Sequence, residues 1–149
     1  MTVDIVAPGW HLAGSPVAQP HGADEELVWR FMQELTTNDA EKLGTWFSDD
    51  AMYQNMPLPP AHGREAVTGM LAGLFTVMRI EKVETFHICS RDGLVLTERE
   101  DLLTAIPTGK SVALPILGVV SVRDGLITGW RDYFDLRAFE EAVEMSLRG

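Results

Sequence analysis

Two hydrophobic rhythms divide the chain. Up to about residue 78 apolar positions recur every three or four residues; beyond residue 80 they alternate or run together between turn signals. Asp24-Glu25-Glu26 places acids at the positive end of a helix dipole, and Leu27, Val28, Phe31, Met32 and Leu35 follow at helical spacing, predicting a first helix from residue 24. Asn38, with Glu41 three residues on, resembles a capping box and predicts a short second helix through Leu43, Trp46 and Phe47. Ser48-Asp49-Asp50 reads as a turn into a short strand over 51–55. The prolines of Met56-Pro57-Leu58-Pro59-Pro60 lack amide donors and fix φ, so that stretch is irregular. A third helix is predicted over 64–78, with Val67, Met70, Leu71, Leu74, Phe75 and Met78 on one side.

From residue 80 the pattern predicts four strands, 80–89, 94–105, 111–122 and 126–134. Asp-Gly steps at 92–93 and 124–125 are hairpin signals, so the strands form an antiparallel meander. Pro115 inside the third strand demands an edge position or a bulge. Asp135 is placed to cap a last helix carrying Leu136, Phe139 and Val143. Helices first and a meander after them make an α+β domain, residues 24–149, with helices over one side of a bent sheet. Such a cup offers a concave face to a small molecule. Ahead of it Pro8, Gly9, Gly14, Pro16, Pro20 and Gly22 predict an irregular arm over 1–23, in which Val6, Trp10 and Leu12 could dock on the domain or a second subunit.

Composition narrows the function. The 149 residues, 46% hydrophobic, suffice for one domain with a real core. Twenty-two acidic against 12 basic residues give a formal charge of -10, which opposes nonspecific binding to nucleic acid or anionic membranes and favours a neutral or cationic substrate. One cysteine, Cys89, permits no intrachain disulfide and fits a reducing cytoplasm. Neither a signal-peptide pattern nor an apolar run of membrane-spanning length is present, so a cytoplasmic protein without membrane attachment is expected.

Candidate chemistry sits on the strands. Side chains two apart on a strand share a face, so Arg99 and Asp101 project together, roughly 6.6 Å apart along the backbone. Taken alone they could be a surface ion pair of about 0–1 kcal/mol. Asp132 changes the balance: by alternation it shares its face with Leu126, Thr128, Trp130 and Phe134, and a carboxylate on an apolar surface needs a partner. Arg99 is the expected partner, with Asp101 completing the group. Tyr53 and Asn55 share a face of the short strand, and a phenol and a carboxamide can both hold a water; hydrogen bonds to nearby backbone are the ordinary alternative. Other chemistries lack their residues. There is no Gly-x-Ser-x-Gly elbow and no glycine-rich phosphate loop. His11, His21, His62 and His87 have no zinc spacing, and Cys89 between Ile88 and Ser90 reads as a packing residue.

Residues 51–60, Thr97-Glu98-Arg99-Glu100-Asp101 and Gly129-Trp130-Arg131-Asp132-Tyr133-Phe134-Asp135 resemble the limonene-1,2-epoxide hydrolases. The resemblance runs from about residue 24 to 149 and includes residues 73–78 and 107–111; the stretch 112–116, with Pro115, gives no firm match. It implies a strongly curved mixed β-sheet with helices packed in its concavity, the fold of nuclear transport factor 2 and ketosteroid isomerase. A homodimer without cofactor is also implied, and the histidine spacing already argued against a metal site. The family's Asp-Arg-Asp group falls on Asp101, Arg99 and Asp132, and its water-holding pair on Tyr53 and Asn55.

The expected reaction is one-step addition of water to a small apolar epoxide, terpene-like or cyclic, giving a vicinal diol. Asp132 takes a proton from water, Asp101 gives one to the epoxide oxygen, and Arg99 orients both acids. At a normal aspartate pKa near 3.9 only about one Asp101 in a thousand would carry that proton at pH 7, a deficit of roughly 4 kcal/mol, so the two acids are expected to share one proton. Met32, Leu35, Leu74, Phe75, Met78, Ile80, Val83, Leu103, Leu114, Ile116, Phe134, Phe139 and Leu147 are the expected pocket lining. A proton-transfer isomerase and a non-catalytic carrier of apolar ligands are the rival readings; the first fits poorly with an arginine between two acids.

Overall fold

The computed structural model describes residues 16–148 and the backbone of 3–5; Val6, Trp10 and Leu12 lie outside the described residues. Helix α1 (Gly22–Glu34) buries Val28, Phe31 and Met32, the stripe its spacing dictates. A single 3-10 turn (Leu35–Thr37) ends at Asn38, whose φ of 52° is left-handed. The cap of the next helix, α2 (Ala40–Gly44), is not Asn38 but Asp39, which accepts from the Lys42 amide at 3.1 Å. Asn38 instead clamps a strand: its side chain accepts from Ile80 N at 2.8 Å and donates to Ile80 O at 3.1 Å. The helix stops at Gly44, short of the expected Trp46 and Phe47.

Strand β2 runs Phe47–Met56, longer than the expected 51–55. Ser48-Asp49-Asp50 is therefore no turn. Phe47 pairs with Ile127 and is fully buried, which draws the chain into the sheet four residues early, and a shift in register before Met52 absorbs the two exposed acids. A two-residue strand, β3 (Ala61–His62), returns along β2 before helix α3 (Arg64–Val77). Then come β4 (Met78–Arg91), β5 (Leu94–Ala105), β6 (Ser111–Arg123), β7 (Leu126–Tyr133) and helix α4 (Leu136–Val143). Asp92-Gly93 and Asp124-Gly125 form the two-residue turns, all four with φ between 52° and 78°, as primed hairpin turns require. Asp135 caps α4 through Ala138 N at 2.9 Å.

The strand order is β3-β2-β7-β6-β5-β4: an antiparallel meander extended by β2, which runs parallel to β7. This is the strongly curved mixed α+β sheet expected, its helices packed on one face. The segment 1–23 is not irregular throughout, because the first strand, β1 (Val3–Ile5), pairs parallel with residues 111–113 of β6. It can do so because β7 covers that edge of β6 only from Leu117 onward. Pro115 sits between these two pairings, so β6, an interior strand, has a local edge there.

Candidate active site

Burial alternates along β5 so that Val95, Thr97, Arg99, Asp101, Leu103 and Ala105 all face the core. On β7 the alternation breaks. Ser121 pairs with Gly129 but Val122 with Ile127, so β7 carries one extra residue, Thr128. That bulge turns Ile127 inward, and Leu126 and Thr128 do not share the buried face of Asp132 as simple alternation predicted. Beyond the bulge Trp130 and Asp132 point inward, level with Tyr53 and Asn55 of the neighbouring β2.

These strands bring the charges together at the base of the cup. Arg99 is 1% exposed, Asp101 4%, Asp132 3% and Tyr53 4%. The guanidinium of Arg99 bridges the acids: Nε and Nη2 donate to Asp101 Oδ1 and Oδ2 at 2.9 and 3.3 Å, and Nη1 and Nη2 donate to Asp132 Oδ1 and Oδ2 at 3.0 and 2.7 Å. Trp130 Nε1 adds a bond to Asp132 Oδ1 at 2.8 Å, and the Tyr53 hydroxyl reaches Asp132 Oδ2 at 3.5 Å. The Trp130 ring lies parallel to Tyr53, with centroids 5.9 Å apart, and Arg99 Cζ stands 5.7 Å from its centroid. Asp132 thus faces four donor contacts and Asp101 two. Gly118, paired with Asp132 on β6, makes the close approach possible: a Cβ there would meet Thr97 Oγ1, Arg99 Nη1 and Asp132 Oδ1 at 2.7, 2.8 and 3.1 Å.

A cavity of about 50 Å³ opens over this group. Tyr53, Asn55, Arg99, Asp101 and Asp132 all line it, and the rest of the wall is apolar. Of the expected lining, Leu35, Leu74, Met78, Ile80, Leu103, Leu114, Ile116, Phe134, Phe139 and Leu147 surround the space. Met32, Phe75 and Val83 do not. Met32 is fully buried on the inner side of α1, its sulfur contacted by the Thr85 hydroxyl at 3.7 Å; Val83 belongs to the buried core, and Phe75 packs partly buried against that core. Leu71 lines the cavity and was assigned only to the helix's apolar side; its spacing with Leu74 and Met78 is the signal that marks it.

The limonene-1,2-epoxide hydrolase catalytic domain matches residues 23–144. The chain belongs to that family. An epoxide hydrolase, EphG, of Mycobacterium tuberculosis is 32% identical over 122 residues, covering 82% of this chain and 80% of the relative. A solved M. tuberculosis epoxide hydrolase, described as LEH-like, superposes with a TM-score of 0.70 at 28% identity, covering 82% of this chain and 90% of that one. A putative isomerase from Bacillus subtilis reaches 0.75 at 20% identity over 83% and 94% of the two chains, which shows the fold alone. Membership of the epoxide hydrolase family supports epoxide hydrolysis over the isomerase and carrier readings.

In this family member the electrostatics follow from burial. Burial works against the Arg99 charge, but Asp101 and Asp132 outweigh it and hold the guanidinium ionised, above the usual arginine range. Burial pushes the Asp101 carboxyl above the usual carboxylate range against the pull of Arg99, and Asp132 adds to the rise. Burial, then Asp132, raises the Tyr53 phenol well above its ordinary value, so it stays a proton donor. Trp130 and Gly118 were not recognised as site residues. Trp130 carried one signal, its place two residues before Asp132 on the same strand face; Gly118 carried none without the register of β6 on β5 and β7.

Proposed function

We propose that this protein is a cofactor-independent epoxide hydrolase that adds water to a small, mostly apolar epoxide in one step. The observation that supports this most is a single arginine bridging two buried carboxyl groups at the floor of an otherwise apolar cavity. With one proton between the acids, the group's charge is zero, which is the cheapest state in a poorly solvated site. Asp101 is the natural holder of that proton. It has fewer donors pointed at it, and burial favours its neutral form.

The steps balance without further reagents. Asp132, ionised, accepts a proton from a water that Tyr53 and Asn55 help to hold. The water oxygen attacks a ring carbon as the carbon–oxygen bond breaks, and Asp101 protonates the departing oxygen. The product is a vicinal diol, and transfer of a proton from Asp132 back to Asp101 resets the pair. Arg99 fixes both acids throughout. The narrow apolar cavity favours compact cyclic or terpene-like epoxides.

We further propose that the chain works as a homodimer in the cytoplasm. Leu96, Leu117 and Tyr133 lie exposed on the outer face of neighbouring strands, where a second copy would cover them. Among the described residues no helix is long and apolar enough to cross a membrane. Incubation with a panel of cyclic and terpene epoxides tests the activity. Diol is expected from at least one compact cyclic epoxide and is lost in Asp132→Asn; ligand binding without turnover would leave a carrier.

A further inference from the structure

Three residues that line the cavity, Asn55, Leu74 and Leu147, also line an open groove on the surface, together with Leu58, Pro59 and Met70. They are the wall between the two spaces. Asn55 belongs to a strand and Leu74 to a helix, whereas Leu147 lies past the end of α4, in residues 145–148 beyond the matched family region. Leu147 packs partly buried against the core, and one side chain ties its backbone back to α4. Glu140, 8% exposed, accepts from Leu147 N with Oε2 at 2.6 Å and from Arg148 Nη2 with Oε1.

A helix-capping role does not account for this. The carboxyl end of α4 is closed without it, by Met145 N donating to Glu140 O at 3.2 Å and by left-handed Glu144. Thr108 Oγ1 on Val143 O, at 2.7 Å, and the Lys110–Glu144 ion pair fasten that helix end to the β5–β6 turn. What the Glu140 side chain adds is a hold on the segment that carries Leu147 across the cavity. The Arg148 side chain is 64% exposed, so one arm of that hold lies where water competes for it.

We propose that Leu147, clasped by Glu140 and Arg148, is the gate through which substrate passes from the groove into the cavity, and that it limits the size of epoxide admitted. This rests on the hydrolase reading for its substrate, but the gate itself can be tested by binding alone. The probe is trans-cyclohexane-1,2-diol, a product-class ligand that is not consumed; its association and dissociation rates are read from the broadening of its own NMR signals. Glu140→Gln and Arg148→Ala are expected to raise both rates about five- to tenfold, as loss of a charged hydrogen bond would. The dissociation constant should stay within about twofold, because a gate changes the path and not the bound state.

Leu147→Ala removes the gate itself. It should raise both rates, favour bulkier epoxides in kcat/KM, and leave Arg148→Ala nothing to add in the double variant. Melting curves identify any variant that fails to fold, and Arg148→Ala, at an exposed position, is expected to melt like the parent. Unchanged rates in Arg148→Ala and Leu147→Ala, or full additivity between them, would overturn the gate. Diol formation with unresponsive rates sinks the gate and spares the hydrolase; responsive rates with no diol from any epoxide do the reverse.

Discussion

At the scale of single residues, the site is a problem in burying charge. Arg99, Asp101 and Asp132 are each almost wholly removed from solvent, and every guanidinium nitrogen is directed at a carboxyl oxygen. This much was legible in the sequence, because a strand's two-residue period puts Arg99 beside Asp101 and an acid between aromatic residues demands a cation. The roles of Trp130 and Gly118 were not legible, since both depend on which residues face each other across strands. The raised Asp101 carboxyl sets a direction for pH. General-acid work needs the protonated form, so kcat/KM should fall as pH rises through the Asp101 pKa. Stability should move the same way. A carboxyl that holds its proton more tightly when folded contributes most below its unfolded pKa, about 3.9, and loses that contribution as pH rises through the folded value. Urea titrations across pH should show this decline in the parent and a flatter profile in Asp101→Asn, which cannot ionise.

At the scale of elements, hydrophobic period located the helices and the meander, and the two Asp-Gly steps located its hairpins. What escaped it were departures from regular period. Thr128 bulges out of β7 and re-aims everything after it, and β2 begins at Phe47 through pairing with a strand eighty residues away in sequence. No local pattern carries either fact. Asn38 shows the same limit: its spacing to Glu41 imitates a capping box, while its side chain completes the backbone pairing of Ile80. Ile80 and Met78 are the β4 residues that line the cavity, so this clamp joins the first helices to the site. Asn38→Ala should remove three hydrogen bonds, two to Ile80 and one to Thr36 O, and cost about 1–3 kcal/mol in urea unfolding, with little change in KM. A loss below a few tenths would mean the clamp is incidental.

At the scale of the whole molecule, the curved sheet does two jobs with its two faces. The inner face gathers Tyr53, Arg99, Asp101 and Asp132 from β2, β5 and β7 under α3 and α4. The outer face leaves Leu117 49% exposed and Tyr133 41% exposed, adjacent across β6 and β7. If that face joins two copies, sedimentation should give twice the 16.5 kDa chain mass for the parent and one chain mass for Leu117→Glu. A parent that sediments as a single chain contradicts the dimer and leaves the inner face untouched. The fold class was readable from helices followed by a meander, and the family resemblance implied a mixed sheet, but no periodicity shows that β2 pairs parallel with β7.

The most direct test of the acid-pair account is a single turnover in water enriched in heavy oxygen, with enzyme in excess over a cyclic epoxide. Direct attack by water predicts that the diol from this first turnover carries the label, while the protein's own carboxyl groups gain none. Unlabelled diol, with heavy oxygen later found in Asp101 or Asp132, would show that an enzyme carboxylate attacks the ring, and would contradict the account.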